Sequence, residues 1–166
     1  MKRLLSFAIL GVMLTVLTGC PIGLDYPLGK SNEQNIDAKL LGKWTIDDPE
    51  ETVITVSFAK KSENLYLITI HEFSDLFAPE TVLFDGWIVS LGGMRFLCTQ
   101  EIANRSTYYH YVLINVSDNL LNICDMALLN QGMDAITSAE TLRSEVLASM
   151  KKPEFLSGAL TYRKVR

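Results

Sequence analysis

Histidine and cysteine are scarce, with two and three copies among 166 residues. That scarcity argues against a metal centre, which gathers several such ligands at set spacing. The pair His71-Glu72 lacks the second His of a zinc helix motif. On a strand its two side chains would also face opposite ways, so the pair reads as a strand end. Cations are outnumbered by anions, 15 to 19, for a net charge of −4. No basic patch gathers, which argues against nucleic acid as a partner and against electrostatic attachment to anionic lipid head groups. The chain also lacks internal repeats, a phosphate-binding loop and a visible pairing of nucleophile with base. No residue is assigned as catalytic, no metal or cofactor is expected, and an enzyme ranks behind the two readings given below.

What the sequence does have is one strongly apolar stretch, at its N-terminus. Lys2-Arg3 precede Leu4 to Leu17, a run broken only by Ser6, Gly11 and Thr15. A positive start, a short apolar run and small residues form the secretory pattern. At about fourteen residues the run is shorter than the ~20 of a bilayer-spanning helix, so a signal peptide over residues 1–19 is expected. The run ends in Leu17-Thr18-Gly19-Cys20, which resembles the lipobox of bacterial lipoproteins. The resemblance implies cleavage before Cys20, diacylglycerol on its thiol, and a lipid bilayer held through that anchor. It implies the bacterial cell envelope as location. In such lipoproteins Asp after the Cys marks inner-membrane retention. Pro21 stands there instead, so the outer membrane, facing the periplasm, is preferred over the inner membrane or the cell surface.

Without residues 1–19, about 147 residues remain with a formal charge of about −6, one domain's worth. Residues 20–37 read as a lipidated N-terminus and flexible tether, because Pro21 to Ile36 hold two Pro, two Gly and a polar run. Residues 38–166 then form a single β-domain. Short β-like runs separated by turn signals are expected at Leu40–Ile46, Thr52–Phe58, Leu65–Phe73, Val82–Leu91, Arg95–Ile102, Tyr108–Val116, Leu120–Met126 and Ala159–Val165. Gly92-Gly93 marks a tight hairpin. Between the last two runs, Thr137-Ser138-Ala139-Glu140 matches a capping box. Leu142, Val146, Leu147 and Met150 follow at helical spacing, and Pro153 ends the helix. The fold class is thus mainly β: about eight strands in an antiparallel meander or barrel, with one helix before the last strand. The competing architecture is an open curved sheet with the helix on its concave face.

Gly42-Lys43-Trp44 opens the first strand and resembles the G-x-W signature of lipocalins and bacterial lipocalin-like lipoproteins. The resemblance implies a Trp packed across one end of a barrel, under a basic residue from near the C-terminus. Arg163 is the residue expected in that place. One departure stands out: lipocalins carry the main helix after the eighth strand, not before it.

The other candidate residues have plain readings. His110 shares a strand face with Tyr108, Val112 and Ile114, a face that could point into the barrel, and reads as a satisfied interior or semi-buried histidine rather than a catalytic one. Tyr108, Tyr109 and Tyr111 would pack in the core or line a pocket. Asp47, Asp48, Glu50 and Glu51 offer oxygen ligands, but not at EF-hand spacing, so they read as a solvated turn. Cys98 and Cys124 fall on the fifth and seventh strands, two strand spacings of ~4.8 Å apart, too far for a disulfide. They are expected as reduced, buried thiols. Two functions follow from these readings. One is a membrane-anchored module that binds a small apolar ligand. The other is a non-catalytic structural lipoprotein with a filled barrel and an envelope protein as partner.

Overall fold

The computed structural model describes residues 23–46, 53–74 and 77–165. The expected signal peptide, Cys20 and the acidic turn at Asp47–Glu51 lie outside those residues. Eight strands follow in chain order: β1 Gly42–Ile46, β2 Val53–Lys60, β3 Tyr66–Ser74, β4 Phe77–Leu91, β5 Met94–Glu101, β6 Tyr108–Val116, β7 Leu120–Met126 and β8 Leu156–Lys164. Each pairs antiparallel with its neighbours in sequence. β8 returns to β1 through Trp44–Lys164, Thr45–Arg163 and Ile46–Tyr162, which closes the barrel. The open curved sheet is therefore set aside, and the architecture is lipocalin-like.

Alternation along the strands sorts side chains into two apolar layers. The inner layer fills the barrel with Trp44, Val56, Phe58, Ile68, Ile88, Leu97, Leu113, Leu121, Ile123 and Tyr162. The outer layer lies on the opposite face of β4 to β7. It joins Trp87, Phe96, Cys98, Val112 and Cys124 to Leu24 and Leu28 of the N-terminal segment and to Leu142 and Val146 of the helix. Strands buried on both faces read as near-continuous apolar runs. Phe96-Leu97-Cys98 and Tyr111-Val112-Leu113 are such runs.

The helix, α1 (Ala139–Ser149), packs outside the barrel. Its cap differs by one residue from the expected box. Ser138 is the N-cap: its Oγ accepts from the Thr141 N–H at 3.1 Å, while Thr141 Oγ1 accepts from the Ser138 N–H at 2.9 Å. Threonine thus does what Glu140 was expected to do. Leu142 and Val146 are buried, whereas Leu147 is exposed. Glu145 is buried on the same helix. Its carboxylate accepts from the backbone N–H of Asn130 and Gln131 and from Ser149, which ties down the β7–α1 connection.

Residues 23–37 of the segment expected as a flexible tether are packed on the barrel instead. Leu24 and Tyr108 exchange backbone hydrogen bonds at 2.9 and 2.8 Å. The Leu28 N–H donates to His110 Nε2 at 3.0 Å, and its carbonyl accepts from Arg143. Trp87 Nε1 donates to the Gly29 carbonyl, and Ile36 N–H to the Glu63 carbonyl. The physical reason is the outer apolar face of β4 to β7. Leu24 and Leu28 cover part of it, and Leu28 is fully buried in doing so.

Candidate functional site

Among the described residues the barrel has one filled end and one hollow end. At the filled end a short 3-10 turn, Ala38–Leu40, places Leu40 beneath Trp44 and Tyr66, all three fully buried. Trp44 Nε1 donates to the Leu40 carbonyl at 2.8 Å. Tyr66 OH donates to the Asp37 carbonyl and accepts from the Asp37 N–H. Asp37 pairs with Arg95 at 2.9 Å. Burial pushes the Asp37 carboxyl up, but the Lys39 N–H and Arg95 outweigh it and leave the pKa below its usual value.

The cation over Trp44 is Lys164, not Arg163. Lys164 is the register partner of Trp44, and its Nζ lies 4.9 Å from the ring centroid. Arg163 pairs with Thr45, one residue away and so on the opposite face of the sheet. Gly42 completes the arrangement. Its φ is +119°, and a Cβ there would come within 2.9 Å of Lys164 Cε. The Gly-x-Trp spacing thus leaves room for the lysine stem beside the ring.

Toward the other end the interior opens into a cavity of about 150 Å³. Its walls are mostly aliphatic and aromatic: Val56, Phe58, Ile68, Phe84, Leu97 and Ile123 among them. Polar atoms enter from Thr99, Tyr111, Asp125 and Tyr162. Burial pushes the Tyr111 phenol above its usual pKa and that of Tyr162 up to about 12, and the Asp125 carboxylate adds to both shifts. Burial also raises the Asp125 carboxyl. Two clefts on the outer surface are wider, about 230 and 360 Å³. Charged side chains line them, Glu140 and Glu145 in one, Lys30, Asp85 and Arg105 in the other. The interior cavity is the one shaped for an apolar molecule.

The other expected residues fall as follows. His110 is buried but points outward, beneath the N-terminal segment, rather than into the barrel. Both faces of β6 are buried, so alternation alone did not say which face was the interior. The three tyrosines divide: Tyr111 lines the cavity, Tyr109 meets Phe84 edge to face, and Tyr108 meets Trp87 on the outer side. His71 is hydrogen-bonded to Thr81 through Nδ1 at 2.8 Å. Cys98 and Cys124 are free thiols in the outer layer, as expected; burial pushes both thiols above their usual pKa. Asp125 was not singled out from the sequence. A lone carboxylate near a strand end carries no motif, and it is the pairing of β7 with β6 and β8 that brings it near Tyr111 and Tyr162. The chain matches no protein-family model, no curated protein and no solved structure.

Proposed function

We propose that this chain is a lipid-anchored bacterial envelope protein whose barrel holds a small apolar ligand. The cavity carries the ligand half of this reading. Its volume of about 150 Å³ matches an engineered apolar cavity that admits benzene. It falls below the ~300 Å³ at which drug-sized pockets begin. The ligand, or the part of it enclosed, is therefore about six carbon atoms in size. Burying six methylenes at ~0.8 kcal/mol each contributes about 5 kcal/mol, which corresponds to a Kd on the order of 10⁻⁴ M.

The lipobox-like Leu17-Thr18-Gly19-Cys20 supports the anchor half. Only Pro21 and Ile22 separate Cys20 from Gly23, which lies against Thr107 and Tyr109 at the hollow end of the barrel. Three residue steps reach at most about 11 Å. A lipid on Cys20 would hold the hollow end near the bilayer, where apolar molecules partition.

Native mass spectrometry of the chain recovered gently from bacterial membranes tests both halves. The expected protein begins at Cys20, carries a covalent lipid, and retains a small non-covalent guest. A Cys20→Ser change is expected to leave it unlipidated and release it from membranes. A free Cys20 thiol in the wild type would remove the anchor. A repeatedly empty barrel, with one dominant crosslinked envelope protein, would favour the structural role over ligand binding.

A further inference from the structure

We propose that the cavity takes a ligand with an apolar body and a cationic amine head, and that Asp125 receives the head. This rests on the ligand-holding reading above and names the chemistry of its guest.

Asp125 stands next to the end of β7, opposite Tyr111 on β6, and both line the cavity. Tyr162 of β8 and Thr99 of β5 line it too. Among the described residues the cavity's lining is apolar with one carboxylate and no Lys, Arg or His. Ion pairs among the described residues engage Asp37, Glu63 and Asp85, not Asp125. Asp125 is partly buried, and a carboxylate drawn partly out of water is costly to that extent unless a cation or several donors meet it. The backbone of β8 is shaped around this one. Gly158 has φ +57°, and a Cβ there would lie 2.7 Å from Asp125 Oδ2.

The choice among head groups follows from charge. An ionised carboxylate only accepts hydrogen bonds. A fatty acid would bring a second negative charge beside Asp125, and the two would repel. An alcohol could donate one hydrogen bond and leave the charge uncompensated. An ammonium brings three donors and the opposite charge, and charge-assisted bonds are the stronger kind. The phenol oxygens of Tyr111 and Tyr162 offer further acceptors. Burial raises the Asp125 carboxyl, the signature of a carboxylate lacking compensation, and a bound cation would reverse that shift.

Calorimetric titration with three probes of one chain length tests the inference: hexylamine, 1-hexanol and hexanoate. The full chain carrying Cys20→Ser is used, so that no detergent competes for the cavity. At pH 7 hexylamine is expected to bind about tenfold tighter than 1-hexanol, with hexanoate weakest. Asp125→Asn is expected to abolish the preference for hexylamine over 1-hexanol, and an unchanged circular dichroism spectrum reports that the variant is folded. Should that variant not fold, the order of the three probes on the unsubstituted cavity still decides. Amine no tighter than alcohol, or hexanoate tightest, overturns the assignment of Asp125 but leaves a ligand-holding barrel. No binding by any probe removes the ligand-holding reading itself, and this inference with it.

Discussion

His110 makes the fold sensitive to acid. It is about 95 % buried, its Nε2 accepts from the Leu28 N–H, and so the neutral ring carries its proton on Nδ1. Nδ1 has no hydrogen-bond partner among the described residues. Burial lowers its pKa from 6.5 to about 4. Between those values the unfolded chain takes up a proton that the folded chain refuses. Stability from this group is complete above pH 6.5 and falls as pH drops toward 4, at about 1.4 kcal/mol per unit and about 3 kcal/mol in total. Urea unfolding at pH 7 and pH 4.5 should show that loss, and His110→Gln should flatten it. An unchanged slope in the variant would place the acid sensitivity elsewhere. At the filled end, Gly42→Ala meets both a positive φ and the Lys164 stem. A loss of about 1–3 kcal/mol in thermal unfolding is expected, and a neutral effect would contradict the packing of lysine over Trp44.

Among the elements, the N-terminal segment departs most from its sequence reading. Leu24 and Leu28 are buried, and their amides donate to Tyr108 and His110. Hydrogen exchange at both amides should therefore be slow, near the rate of the β6 core, and a protease should spare residues 24–36. Exchange at free-chain rates would restore the flexible tether. The strands were more legible. Tyr108–Val116 and Leu120–Met126 match the observed β6 and β7, since apolar alternation and the Ser117-Asp118-Asn119 turn bound them on both sides. Pro27, Gly29 and the polar residues after them look like a linker because the surface that holds the segment lies elsewhere, on the outer faces of β4 to β7. The Lys164-for-Arg163 exchange has a similar origin. Which residue of β8 faces inward depends on its pairing with β1, and no local pattern states that register. Only in the folded barrel does Asp125 acquire a setting, so the chemistry of the cavity was the least legible part.

At the scale of the whole molecule, the filled and hollow ends give the barrel a direction. The proposed anchor lies three residues before Gly23, at the hollow end, while the turn at Ser117-Asp118-Asn119 lies at the filled end, roughly 20 Å away along the strands. A fluorophore at Arg105→Cys should be quenched strongly by a head-group quencher on lipidated protein in vesicles, and one at Asn119→Cys weakly. Equal quenching would mean that the domain stands off the surface without a fixed orientation. The central claim, however, concerns the interior. Titration with 1-hexanol, followed by methyl NMR, tests it most directly. Saturable shifts are predicted at Ile68, Leu97, Leu121 and Ile123, which line the cavity, with Leu28, Leu142 and Val146 of the outer layer unmoved. Unmoved interior methyls, or shifts confined to the outer layer, would contradict a barrel that holds an apolar guest.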